Sequence, residues 1–177
     1  MADTGFIITG TGGNDATVGA TDWTTPGNIT ASDSVPAIVS RHTVSANVQN
    51  SIKLIKGGTI SGDEKSTGAL ITFGPPYVNN DWGSSSDLWG LTLSDTDVNA
   101  SNFGVGISVS GNLGISHYLT ATNFGFSIPS GATINGIVAR AEWNQHTATV
   151  FVDSVSIIVY YTAAPTTPVS PFVSSLH

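Results

Sequence analysis

Cysteine is absent from this chain of 177 residues, and its lysines and arginines number five: Arg41, Lys53, Lys56, Lys65 and Arg140. Without a thiol there is no disulfide framework, no thiolate nucleophile and no cysteine-ligated zinc. So few cations exclude the basic stripe that would displace counterions from nucleic acid. The same shortage argues against an anionic membrane as partner. No apolar run approaches the ~20 residues of a membrane span. Charged residues make up 10% of the chain and the net charge is −7, against about 25% charged in an average soluble protein. The acidity bears on solubility and not on fold. The opening residues, Met1 to Gly5, have neither the basic start nor the apolar stretch of a secretion signal. The expectation is synthesis in a cytoplasm, with any exit by lysis or assembly.

Hydrophobic residues amount to 40%, enough for one domain with a real core at this length. Gly, Ser, Thr and Asn take the place of charge, which suits strands and turns over long helices. Period-two alternation dominates. Phe103, Val105, Ile107 and Val109 alternate with Gly104, Gly106, Ser108 and Ser110. Phe124, Phe126 and Ile128 alternate with Gly125 and Ser127, and Ile137, Ala139, Ala141 and Trp143 share one face. Val155, Ile157, Val159 and Tyr161 share another, and Val48 to Lys56 reads as a strand with Ile52 and Leu54 inward and Lys53 outward. Shorter candidates are Phe6 to Thr9, Ile38 to His42 and Ala69 to Phe73.

Turn chemistry separates these runs at Gly57-Gly58, Gly74-Pro75-Pro76, Asn79-Asn80-Asp81, Gly111-Asn112 and Pro129-Ser130-Gly131. Asn135-Gly136 is hairpin chemistry inside an apolar stretch, so a bulge is the alternative. Ser94 followed by Asp95 and Asp97 predicts one short capped helical turn. A short internal echo links the segment around Phe103 to the one around Phe124. These signals predict an all-β fold: an antiparallel β-sandwich, jelly-roll-like, over residues 1–163. Residues 1–38 read as an extended N-terminal arm. Residues 164–177, with Pro165, Pro168 and Pro171, read as an extended Pro-rich C-terminal arm. Phe172, Val173 and Leu176 are its candidate contacts with a partner subunit, packing on the chain's own domain being the alternative.

The search for chemistry yields little. His42, His117, His146 and His177 are scattered without ligand spacing, so no metal site is expected. Asp95, Asp97 and Asn99 match the start of a calcium loop, but Ala100 and Gly106 stand where Gly and Glu are needed. Gly57 to Ser66 resembles a phosphate loop only superficially, because Asp63 and Glu64 precede Lys65. Gly10-Thr-Gly12-Gly13 lacks the rest of a dinucleotide fingerprint. There is no Gly-x-Ser-x-Gly elbow, and no spacing recommends a carboxylate pair among Glu64, Glu142, Asp81, Asp87 and Asp153. No enzyme and no cofactor are expected. Trp89 and Trp143 read as core. Trp82, flanked by Asp81 and Gly83, reads as an exposed loop residue able to stack on a glycan. Asn28 and Asn99 begin glycosylation sequons that read as chance matches.

Several blocks together carry a resemblance. They are Lys53-Leu-Ile-Lys56-Gly-Gly, Asp87-Leu-Trp89-Gly-Leu-Thr, Asn99-Ala-Ser-Asn-Phe103-Gly-Val, Phe124-Gly-Phe-Ser-Ile-Pro129 through Ile137, and Val152-Asp153-Ser-Val-Ser-Ile-Ile-Val-Tyr160-Tyr. Over residues 20–162 the chain resembles small β-sandwich structural proteins of tailed bacteriophages. The order departs from theirs, since the Phe-Gly-Phe-Ser-Ile-Pro block here follows the Lys-Leu-Ile-Lys-Gly-Gly block. The resemblance implies a virion component made in a host cytoplasm, and it carries over no catalytic residue. The expected role is a capsid decoration or cement protein. It would assemble as a homotrimer and contact the major capsid protein or other virion proteins, with no nucleic acid and no membrane. A head-fibre, tail or baseplate component is the first alternative, and a glycan-binding β-sandwich module the second.

Overall fold

A computed structural model of the chain describes residues 1–40, 47–71, 74, 76–111 and 114–165. Among these residues twelve strands form two sheets. The first sheet is built on a long hairpin, β11 (Thr133–His146) and β12 (Thr149–Thr162). β7 (Val78–Gly83) flanks β11, while β1 (Ala2–Asp3), β2 (Ile7–Ile8) and β4 (Ala37–Ser40) lie along β12. The second sheet runs β3 (Thr11–Asp15), β10 (Tyr118–Thr122), β8 (Gly104–Gly111), β5 (Val48–Lys56), β6 (Thr59–Ser61), with β9 (Gly114–Ile115) on β8. All strand pairings are antiparallel. The chain crosses between the sheets at β2–β3, β3–β4, β4–β5, β6–β7, β7–β8 and β10–β11, which makes the sandwich jelly-roll-like.

The alternation in the sequence becomes the two inner faces. Ile137, Ala139, Ala141 and Trp143 on β11 and Val155, Ile157 and Val159 on β12 are fully buried. They share one core with Ile52 and Leu54 of β5, Val105, Ile107 and Val109 of β8, and Leu119 and Ala121 of β10. Each such side chain contributes about 1.5–3 kcal/mol by leaving water. The β5–β6 hairpin turns on Gly57 and Gly58, whose φ values of 60° and 81° are the left-handed pair such a turn needs. Asn135-Gly136 is a bulge and not a hairpin turn: the β11–β12 register slips between Ile134 and Gly136. Glycine is required there, since a Cβ would sit 2.4 Å from the Ser84 carbonyl oxygen.

The short helix is present as α1 (Asp95–Asn99), with Ser94 and Asp97 forming a reciprocal capping box. Asp97 also pairs with Lys56 at 3.1 Å, so it is spent on structure and not on a cation.

Two sequence expectations are corrected. The N-terminal 38 residues are not an arm. β1, β2 and β4 pair with β12, β3 pairs with β10, and Trp23 and Ile29 are fully buried. The loop signals there are real, but apolar residues between them reach the core. Phe124, Phe126 and Ile128 do point inward alternately, yet residues 123–129 join no sheet ladder. Phe124 stacks on Phe126 at 5.5 Å, and Phe126 meets Phe103 edge-on at 6.3 Å. Here alternation reports packing against the sandwich end and not strand pairing. Near Ala69, only a single bridge joins Leu70 to Val48. Thr72, Phe73, His42 and the C-terminal residues 166–177, Phe172, Val173 and Leu176 included, lie outside the described residues.

Candidate functional site

The outer face of the second sheet carries a groove of about 440 Å³. Its position follows from strand register. With Val105 and Ile107 directed into the core, Gly104, Gly106 and Ser108 of the central strand face outward. Gly106 is aligned with Lys53 on β5 and with Thr120 on β10, and Thr120 with Gly13 on β3. This row therefore has almost no bulk, and side chains from both sides lean across it. A Cβ on Gly106 would meet Ile60 Cδ1 at 2.5 Å and Tyr118 Cδ1 at 3.1 Å. Lys53, Gly58, Thr59 and Ile60 of the β5–β6 hairpin form one wall; Asp15, Thr17, Val18 and Tyr118 form the other.

A hydrogen-bonded network stiffens one end. Glu64 accepts from Ile52 N at 2.6 Å, from Ser66 N at 2.8 Å and from the Ser51 hydroxyl. The Tyr118 hydroxyl lies 2.6 Å from Ser51 Oγ. Partial burial pushes Glu64 up, but these donors, with Lys53 nearby, hold its carboxyl below the ordinary range. Burial raises Tyr118, against the Ser51 hydrogen bond, with Glu64 and Asp15 adding to the rise. Asp15 Oδ1 accepts from Thr17 N at 2.8 Å, fixing that wall. Lys56 and Lys65 are paired with Asp97 and Asp87, and Arg140 with Asp81. Lys53 has no ion pair within 4.0 Å among the described residues.

A second polar cluster lies on the other sheet. The β11–β12 register slips again between Glu142 and Trp143, leaving Asp153 as the extra residue of a bulge. Asp153 is 2% exposed and its Oδ1 has no hydrogen-bond partner. Burial pushes its carboxyl above the ordinary range, Glu142 and Asp33 push further, and hydrogen bonds from Ser34 N–H and the Ser32 hydroxyl oppose them. Ser32 and Ser154 donate to Glu142 Oε2 at 2.6 and 3.1 Å. A carboxylate so enclosed is closed to a substrate. Among the described residues no group of three or more His, Asp or Glu side chains is placed to hold a metal ion.

Trp82 is corrected. It belongs to strand β7 and is 6% exposed, edge-on to Trp143 with ring centroids 5.3 Å apart. Its Nε1 donates to Gln49 Oε1 at 3.1 Å. The polar flanks Asp81 and Gly83 misled because they are the outward neighbours of an inward strand residue. Trp23, Trp89 and Trp143 are buried too, so no tryptophan offers a stacking platform. The two glutamates do not face each other: Glu64 is bound to β5 of one sheet and Glu142 sits on β11 of the other. His117 pairs with Asp22 at 2.8 Å and His146 stands alone at the end of β11. No helix among the described residues is long and apolar enough to cross a membrane.

The groove escaped sequence reading because its residues come from four separate segments. Its only sequence trace is the outward row of glycines in β8 beside the outward Lys53. No protein-family model, curated protein or solved structure matches this chain.

Proposed function

We propose that this chain is a non-catalytic structural component of a tailed-phage particle, in the first place a capsid decoration or cement protein. Besides the sequence resemblance, one observation carries the reading. The β12 edge of the first sheet is covered by β4 and by β1 and β2, the last two being strands of two residues each whose outer sides pair with no strand among the described residues. Along it stand Met1, Phe6 and Ile8, exposed at 75%, 37% and 41%. Unpaired edges flanked by apolar side chains are what strand addition and subunit packing use. Self-association as a homotrimer, with the major capsid protein or another virion protein as second partner, belongs to this proposal.

The test is quantitative mass spectrometry of purified particles from the source. Copy number comparable to the main shell protein supports decoration. A few copies per particle move the chain to a head fibre, tail or baseplate, and absence from particles overturns the proposal. Removing residues 164–177 is expected to leave the sandwich folded, by circular dichroism, and to weaken assembly. Unchanged assembly of the shortened chain would remove the C-terminal segment from the interface.

A further inference from the structure

We infer that the groove on the outer face of the second sheet binds a neutral saccharide, the β5–β6 hairpin and the β3 end holding it between them. This goes beyond the particle role and does not depend on it.

Size comes first. A cavity of about 440 Å³ falls within the range of small-ligand sites, roughly 300–1,000 Å³, and takes one or two sugar rings but no folded partner. The chemistry of the walls is mixed. Lys53 brings an ammonium with no ion pair among the described residues, able to donate to a hydroxyl oxygen. Across the groove Asp15 brings a carboxylate, one oxygen of which is engaged by Thr17 N–H. A donor on one wall and an acceptor on the other can each engage hydroxyls of a sugar ring lying between them. Val18 and Ile60, both half-buried, supply apolar contact for its C–H face.

The charge balance selects against other ligands. Asp15 and the ionised Glu64 lie near the single cation, in a chain of net charge −7. An anion would gain one attraction and meet two repulsions. A wholly apolar ligand would strip water from Lys53 and Asp15 without replacing its hydrogen bonds. A neutral polyol satisfies both. The walls are also preorganised: the Glu64 network and the Asp15–Thr17 turn hold them, so little ordering is lost on binding. The Tyr118 ring, 6% exposed, is too buried to serve as a stacking surface.

The experiment titrates the isotopically labelled full chain with cellotriose, maltotriose and tri-N-acetylchitotriose, followed by amide shift changes. The same titrations are run on Lys53→Met, Thr59→Trp and, as control, Lys56→Met. Thermal melts verify that each variant is folded. Shifts confined to the groove with at least one sugar are expected. Lys53→Met should weaken that binding about tenfold or more, the loss of one hydrogen bond to a charged donor. Thr59→Trp should abolish it by filling the groove, and Lys56→Met should leave it intact. Absence of groove shifts with all three sugars at tens of millimolar overturns the inference. So does binding that survives both groove variants.

Discussion

Replacing Asp153 by Asn should stabilise the domain at neutral pH, which is unusual for a change at a position 2% exposed. The carboxyl sits in a bulge, is pushed above its ordinary range by burial, Glu142 and Asp33, and leaves Oδ1 without a partner. A group whose folded pKa is raised contributes stability that is whole below its unfolded value. That contribution is lost as pH rises through the folded value. The folded state thus favours neutral Asp153, and above that range ionisation costs free energy. Asn is neutral at every pH. Its carbonyl keeps an acceptor for Ser34 N–H, and its uncharged amide removes the repulsion from Glu142 and Asp33. The gain is about 1–3 kcal/mol, the usual cost of an unsatisfied buried group. In a chain of this length that is about 2–4 °C of melting temperature per kcal/mol. Thermal melts of both proteins from about pH 3 to pH 8 should show curves that converge below the ordinary Asp value of 3.8 and separate as pH rises above it. Asp153→Ala, which takes the acceptor from Ser34 N–H, should be destabilised throughout. An Asn variant less stable at neutral pH, or offset equally at all pH values, would refute the reasoning.

Three further outcomes follow from the packing. Trp82→Ala should cost about 3–5 kcal/mol in urea unfolding, because it empties a core position and leaves Gln49 Oε1 only the 3.4 Å hydrogen bond from Thr67 N; a near-neutral effect would contradict its burial. Gly12→Ala places a Cβ 1.9 Å from the Pro26 carbonyl oxygen, so it should cost about 3 kcal/mol or more in the same assay. Glu64→Ala should cost about 1–2 kcal/mol at neutral pH, discounted for its exposed position. Because the Glu64 pKa is lowered, the wild-type advantage is present above the ordinary Glu value and disappears as pH falls through the folded value. A difference that persists in strong acid would count against the network.

The fold was legible where side chains of one face share one fate. In β8, β11 and β12 the inward positions are aliphatic or aromatic, with buried Gln145 the exception, and the β5–β6 hairpin carries its two turn glycines, so period and punctuation agree there. The reading failed where local chemistry and tertiary contact diverge. Residues 1–38 carry Gly, Thr and Asp enough to read as an arm, yet Asn14 clamps Trp23 through two 2.9 Å hydrogen bonds to its backbone, and the indole donates to His117 O. The indole bond joins residues 94 apart in sequence, and nothing within a short window reveals it. Phe124 to Ile128 shows the converse, a strand-like alternation that earns no ladder because the neighbouring space is taken by α1: Asn99 holds Ile128 through both its backbone groups.

The candidate site was less legible for a related reason. A groove over a sheet depends on what is missing from one strand and what leans in from others. The period-two rule that finds cores treats outward glycines merely as the polar half of an alternation. In β8 Gly106 makes room for Ile60 and Tyr118 to approach, which sets the depth of the groove. Trp82 failed in the opposite sense: its neighbours suggested exposure, but a strand sends neighbours to opposite faces, so polar flanks are the expected company of a buried residue. A single aromatic between polar residues is thus evidence for an inward strand position as much as for a binding loop. Lys53 is the more informative residue. It is half-buried and outward on a strand whose next basic residue, Lys56, is already paired. A cation held on a rigid sheet without an ion pair, opposite a carboxylate fixed by its own turn, leaves hydrogen-bonding capacity that a ligand can use.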